Sequence, residues 1–321
     1  MKNENMISRS EKGIVIIGSG RFAGSLARSM PERIIAIVSR NAGNQRGTER
    51  AKLNIPVVDS FSAVDRDSYG AVWIATSDAS ISEVAESIAP ARDSWEGIVV
   101  VHSSGATPVN ALDALRARGA FTIALHPNGS FTGAAPISAG LVWGISSHNP
   151  DFMGVAEELI GPLHPMLVPI EDRHRALYHA AASMAANYSI TLFSIAMDLY
   201  MRAGLPESRA RDVVAAFMAG SAANARALGP RAALTGPVAR GDMEVVARQI
   251  GAIGADAPEY IPLFIEMTMR TAMLIDEENS DAWRELIRRS SAVPRVSEEP
   301  DGEIQAERGT PEAQSGQEDA S

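Results

Sequence analysis

The sequence predicts an α/β fold, a doubly wound and mostly parallel sheet followed by an all-helical domain. Three observations carry this. Short runs rich in Val and Ile alternate with amphipathic stretches between residues 13 and 169. A glycine-rich turn, Gly18-Ser19-Gly20, stands at the first junction between such a run and such a stretch. Beyond residue 170 the strand-like runs stop, and Ala and Met take over the apolar positions. Strands that alternate with helices and are bounded by Gly, Pro and Ser form parallel sheets, because each strand needs a crossover to return beside its neighbour.

The apolar runs at 14–17, 34–38, 57–58, 72–75, 98–101, 122–125, 141–145 and 166–168 are read as strands, being too short for buried helices. Helical patterns lie between them at 22–29, 81–88 and 109–118. In the second half, residues 171–203 read as one long helix ended by Gly204, with Pro206 opening the next. A break at 228–237 precedes a helix from about Asp242, whose carboxylate can cap it. Pro258 and Pro262 stand near the start of a helix running to about Ile275, and a last helix spans 281–289. The predicted division is a polar tail at 1–12, a sheet domain at 13–169, a helical domain at 170–290 and a disordered acidic tail at 291–321. That last segment has too few aliphatic residues to offset its ordering entropy.

Of the 321 residues, 29 are Lys or Arg and 39 are Asp or Glu, a formal net charge of −10. Eight acids face two arginines beyond residue 290, so the body itself is only mildly acidic. Such a body has no basic footprint for nucleic acid or for an anionic membrane. There is no cysteine, which excludes disulfides, thiolate catalysis and cysteine-ligated metals. The opening residues lack the apolar run of a signal peptide, and no stretch is read as reaching the roughly 18 uncharged apolar residues of a membrane span. A soluble, cytoplasmic protein is expected. The only lysines are Lys2, Lys12 and Lys52, so a lysine acid in the second half is ruled out.

The glycine turn has a mechanical purpose. Gly18 allows the tight turn, Gly20 lets the backbone approach a pyrophosphate, and Ala23 is small enough for the helix to pack on the strand. The helix opening at Arg21 and Phe22 offers free N–H groups and a positive dipole end to phosphates, with Ser19 beside them. A glycine-rich turn can also be only a turn, or a mononucleotide site. NAD sites place a carboxylate at the end of the second strand to accept from the ribose 2′-OH. Here Ser39 and Arg40 stand there, and a hydroxyl with a guanidinium suits a 2′-phosphate, which favours NADP(H). Arg40 as an ordinary surface arginine is the plain alternative.

Ligands of open α/β sheets bind beyond the carboxyl ends of strands. Three segments there carry polar groups: Thr76-Ser77-Asp78, His102-Ser103-Ser104-Gly105 and His126-Pro127. Asp78 is read first as a helix cap, and Ser103 and Ser104 either contact the nicotinamide ribose or cap the turn. On the long helix His179, Ser183 and Asn187 are each four apart and form one polar stripe, which either faces a cleft or bonds a neighbouring helix. His102, His126 and His179 lack local metal-ligand spacing, so no metal is expected.

These segments, with Tyr178-His179-Ala180-Ala181-Ala182, Asn187-Tyr188 and the loop from Leu234 through Gly236-Pro237 and Arg240 to Asp242, occur in an order that resembles a known family. The family is that of Rossmann-like proteins carrying a helical C-terminal domain of unknown function, relatives of the 6-phosphogluconate dehydrogenase superfamily. The resemblance implies an NADP-binding Rossmann domain, a helical substrate and dimerisation domain, a homodimer and a reductase. Two departures fall near the implied substrate pocket. Asn128-Gly129 stand where the family has an apolar residue and Gln, and Ser183-Met184-Ala185 stand where bulkier residues are common. Among β-hydroxyacid dehydrogenases a lysine precedes the matching asparagine by four residues; here Asn187 is kept and that position is Ser183.

The expected function is hydride transfer between NADPH and a small oxo or imino compound; Arg240 is either a ligand for a substrate carboxylate or an ordinary surface arginine, the plainer reading. Without lysine, His179 is the first candidate acid and His126 the second. Asn187 would bond the substrate oxygen or nitrogen, and His102 and Ser183 would line its pocket. Two other readings stand beside it: an NADP(H)-binding sensor without turnover, and a redox-neutral isomerase or cyclase that uses bound cofactor.

Overall fold

The structure is a computed structural model that describes residues 12–40, 53–275 and 280–290. The predicted acidic tail at 291–321, and all but the last residue of the predicted tail at 1–12, lie outside the described residues. The chain divides into two compact units, with the division after Leu192.

The first unit is built on an eight-stranded sheet of order β3-β2-β1-β4-β5-β6-β7-β8. Its strands are β1 Gly13–Ile17, β2 Ile34–Val38, β3 Val57–Val58, β4 Tyr69–Ile74, β5 Val99–His102, β6 Phe121–Pro127, β7 Val142–Ser146 and β8 Met166–Pro169. All neighbours run parallel except β6 and β7, which pair antiparallel with His126 opposite Gly144. The order reverses between β1 and β4, which leaves a crevice at their carboxyl ends.

Alternation along the buried strands feeds two cores. Ile14 and Ile16 of β1 face one layer with Leu26 and Ala27 of helix α1 (Arg21–Ser29), while Val15 and Ile17 face the other. That second layer takes Ile81, Ala85 and Ile88 of helix α2 (Ile81–Ile88) and the fully buried Trp95. Each such aliphatic side chain contributes roughly 1.5–3 kcal/mol by leaving water. The helix expected at 109–118 is a 3-10 turn, Val109–Leu112, continued by the short α3, Asp113–Arg116. Helix α4, Phe152–Ile160, was not anticipated; Val155, Ala156, Leu159 and Ile160 form its buried stripe.

The predicted long helix is present as a composite. A 3-10 turn at Asp172–His174 leads into α5 (Arg175–Ser183), a π-helical turn at Met184–Tyr188 and α6 (Ser189–Arg202). Gly204, at φ +96°, ends it as expected. By length and composition the run Asp172–Arg202 is apolar enough to cross a membrane. This corrects the expectation that no stretch reaches that mark: between Arg175 and Asp198, Ser, Thr, Asn, His and Tyr, rather than charges, fill the polar positions.

In the second unit, α7 (Glu207–Leu228) starts after Pro206 and stops at Gly229, whose φ is +81°. Two short helices follow, α8 (Pro230–Ala233) and α9 (Pro237–Arg240). Then α10 (Met243–Asp256), α11 (Ile261–Ile275) and α12 (Ser280–Ser290) surround a core of Val246, Ile250, Ala272 and Trp283. Asp242 occupies the cap position of α10 without a side-chain cap bond. Its carboxylate pairs instead with Arg240 at 2.8 Å.

Candidate functional site

A cavity of about 680 Å³ opens at the carboxyl ends of β1, β2 and β4. Gly18 turns the chain there with φ +115°, and a Cβ on it would stand 2.4 Å from the Ala75 carbonyl oxygen. Gly20 is different: a Cβ there would meet nothing within 4 Å. The backbone at Gly20 therefore faces open space, immediately before the first N–H groups of α1, which have no partner within the helix. This cradle fits a pyrophosphate.

The predicted nucleotide residues fall into two groups. Gly18, Ser19, Gly20, Arg21, Phe22, Ser39, Arg40, Thr76 and Ser77 line this cavity. Ala23, Asp78 and Ser103 are not in its wall. Ala23 is 1% exposed and packs under the helix, as a small residue at that position should. Ser103 accepts a 2.6 Å hydrogen bond from the Trp73 indole N–H. Asp78 is the first residue of a 3-10 turn whose cap position is Ser77, and Ser80 holds the cap position of α2, which corrects the reading of Asp78 as a cap. Ser39 donates to Ser19 at 3.0 Å, tying the end of β2 to the glycine loop. The wall also holds two carboxylates that sequence reasoning missed, Asp59 and Glu83, the latter on α2. Asp59 lies just past β3, so attention to the second strand alone could not find it.

A second cavity, about 480 Å³, is lined by Arg21, the segment from His126 to Phe131, and one face of the long helix. The predicted stripe of His179, Ser183 and Asn187 all faces it. The π turn starts just after Ser183 and contains Asn187, and such turns recur at functional sites. Arg21 is the one charged side chain in this lining, and it also lines the nucleotide cavity.

Behind the cavity wall, the His126 ring meets Tyr178 and His179 edge-on, with centroids 5.5 and 5.7 Å away. Tyr178 Oη lies 3.0 Å from His126 Nδ1 and receives a 2.6 Å bond from Asn128 Nδ2. Two glycines make room for these rings. A Cβ on Gly105 would stand 2.5 Å from His179 Cδ2 and 2.9 Å from His126 Nε2, and one on Gly144 would stand 2.4 Å from Tyr178 Oη.

Arg175, 1% exposed, anchors the start of α5 to the strand ends. Its guanidinium donates to Ser146 Oγ at 2.8 Å and to the Ser104 carbonyl at 2.5 Å. Asp172 accepts the Val109 N–H with both carboxylate oxygens, at 3.1 and 3.0 Å. Ser104 closes its own turn by accepting the Thr107 N–H at 2.9 Å. Sequence reasoning missed Arg175, because an arginine after three charged or titratable residues reads as a solvated helix start.

Burial sets the charge state here. It pushes the His126 pKa down to about 4, helped by His179 and Arg175 and opposed by Asp78. His102 is driven down to about 3 by burial first, then by Arg175. It is fully buried and its ring nitrogens have no well-formed hydrogen bond, although the Pro108 carbonyl favours its charged form. His102 lines neither cavity, which corrects its expected place against substrate. Arg240 lies in the other unit, exposed and paired with Asp242. Among the described residues no three His, Asp or Glu side chains converge as metal ligands.

Two family descriptions match the chain. A Rossmann-like domain matches residues 2–127, and a domain of unknown function, DUF2520, matches residues 141–271. No curated protein matches. Among solved structures, a candidate NADP oxidoreductase from Bacteroides fragilis is 20% identical over 82% of this chain and 98% of its own, with a TM-score of 0.67. A protein from Thermotoga maritima is 20% identical over 83% of this chain and 99% of its own, with a TM-score of 0.61. A pyrroline-5-carboxylate reductase from Coxiella burnetii is 14% identical over 86% and 98%, with a TM-score of 0.55. At these identities the likeness is one of fold. The chain therefore carries a Rossmann-like domain followed by the helical domain of unknown function that its motifs resemble.

Proposed function

We propose that this chain is an NADP(H)-dependent oxidoreductase that reduces a small oxo or imino compound. The observation that carries the reading is the shared wall: Arg21 lines both the nucleotide cavity and the polar cavity that holds His126, His179 and Asn187. A reductase needs a nicotinamide and a proton donor to meet at one substrate carbon, and adjoining cavities permit it. The fold-level relatives whose names carry NADP oxidoreductase or pyrroline-5-carboxylate reductase are consistent with this. Bound NADPH would supply the hydride.

The chain's own residues would do the rest. The N–H groups at the start of α1 would hold the pyrophosphate, and Arg40 the 2′-phosphate. His179 would give a proton to the forming alkoxide or amine, and Asn187 would bond that same atom. Arg21, rather than Arg240, which is paired with Asp242, would hold a substrate carboxylate. By chemistry we divide the chain after residue 169, where the sheet that carries the nucleotide cavity ends and the helix that brings His179, Ser183 and Asn187 to the substrate cavity follows. Leu177, Met184, Tyr188 and Ile190 are 59–74% exposed along the long helix, and we assign these exposed side chains to a homodimer.

Turnover is tested by adding 2-oxo acids and cyclic imines to the protein with NADPH and following cofactor oxidation. His179→Ala is expected to lower kcat about 10²–10⁴-fold. Unchanged turnover in that variant removes His179 from the proton step. Binding of NADPH without consumption across the whole panel favours the sensor reading instead.

A further inference from the structure

The Asn128–Tyr178–His126 chain determines which nitrogen of His126 carries its hydrogen. Asn128 Nδ2 has two hydrogens and two acceptors, Tyr178 Oη at 2.6 Å and the Val142 carbonyl at 3.3 Å. Both contacts agree on which end of the amide faces the phenol, so Tyr178 accepts there and keeps its own O–H to give. Among the described residues, the one acceptor for the phenol hydrogen is His126 Nδ1 at 3.0 Å. A hydrogen on Nδ1 would instead leave two donors face to face with the phenol O–H unsatisfied, which is costly in a half-buried site.

We infer that Tyr178 is a positioning residue that fixes His126 in its Nε2–H form, so that the group taken up beside His126 is a hydrogen-bond acceptor, a carbonyl or carboxylate oxygen. Three further observations agree. Nε2 has no hydrogen-bond partner among the described residues and lies on the side opened by Gly105. The groups facing His126 are His179, Arg175, Asp78, Tyr178 and His102, and their balance with burial keeps the ring neutral. The second cavity contains one cation, Arg21, and no carboxylate in its lining. A cationic iminium would enter such a cavity unpaired, whereas an oxo acid would find donors. The inference deepens the reductase reading on its substrate side, but the tautomer exists without cofactor or turnover and is measured without either.

The test is a long-range 15N–1H spectrum of the full chain labelled at histidine, near neutral pH, with the His126 signals assigned by their loss in His126→Gln. The expected result is an Nε2–H ring for His126 in the unmodified protein. Tyr178→Phe should move those shifts toward the average of two tautomers while the other histidines stay put. An Nδ1–H ring in the unmodified protein overturns the inference, and that measurement does not depend on the variant folding. Unmoved His126 shifts in a folded Tyr178→Phe protein overturn the positioning role. For the ligand class, acetate should move the Nε2–H signal and methylammonium should not. Movement by methylammonium, or by neither probe, overturns the acceptor assignment. A failure to bind NADPH would leave all of these readings intact, so the two proposals fail separately.

Discussion

At Gly18 the φ of +115° and the 2.4 Å approach of the Ala75 carbonyl act together. Relaxing one does not relieve the other, since the turn crosses directly over the end of β4. Gly18→Ala is expected to cost about 1–3 kcal/mol in backbone strain alone, and more from the clash, with loss of nucleotide binding. Denaturant midpoints of variant and parent measure the first effect. His102 makes a different residue-scale prediction. Its folded pKa, about 3, lies below an unfolded value near 6.5, so the unfolded chain binds the proton more readily. Stability from this group is complete above pH ~6.5 and is lost as pH falls toward 3; His126 adds the same trend down to about 4. In His102→Leu the fall in stability between neutral and acid pH should be shallower than in the parent. An equally steep fall would show that His102 is not a source of the acid sensitivity.

Among the elements, the long helix is the one whose behaviour the sequence only half disclosed. Its C-terminal end was legible because Gly204 and Pro206 punctuate the chain, and the His179, Ser183, Asn187 stripe was legible because spacing by four survives in any helix. The π turn was not, since nothing in Met184–Tyr188 departs from helical composition. Nor was the clamp at its start. Arg175, Ser104 and Ser146 come from three separate segments, and only the fold brings them together. The Tyr178 network was hidden for the same reason: Asn128 was visible as a departure from the family, while its partner lies 50 residues away. Replacing Arg175 by Met should cost about 1.5–3 kcal/mol for each hydrogen bond lost to the charged group. It should also raise the His126 pKa, because Arg175 is among the charges holding it down. NMR titration of His126 reads the second effect. A downward or absent shift would mean that the guanidinium does not reach the ring electrostatically.

The sheet was legible almost strand by strand across the whole molecule, because burial on both faces leaves short, nearly unbroken Val and Ile runs. What sequence could not supply was the neighbourhood of the adenosine pocket. Asp59 arrives from the end of β3 and Glu83 from α2, so two carboxylates share with Arg40 the cavity proposed to hold NADP(H). Asp59→Asn is expected to tighten NADPH binding by relieving repulsion of the 2′-phosphate, with little change for NADH. Titration of both cofactors tests this; equal effects on the two would place Asp59 outside the discriminating contact. The exposed apolar side chains of the long helix make an assembly-scale prediction. Sedimentation should report a dimer, and Ile190→Glu should shift it toward monomer. An unmodified chain that sediments as a monomer would remove that assignment.

The central claim, that the cradle at Gly18–Gly20 with Arg40 holds NADP(H), is tested most directly by calorimetry on the purified, folded chain. NADPH should bind with measurable heat and more tightly than NADH. Arg40→Ala should weaken NADPH about 10- to 100-fold, the loss of a charge-assisted contact to phosphate, and leave NADH nearly unchanged. Absence of heat with both cofactors, or an Arg40→Ala protein that binds NADPH as tightly as the parent, would contradict the account.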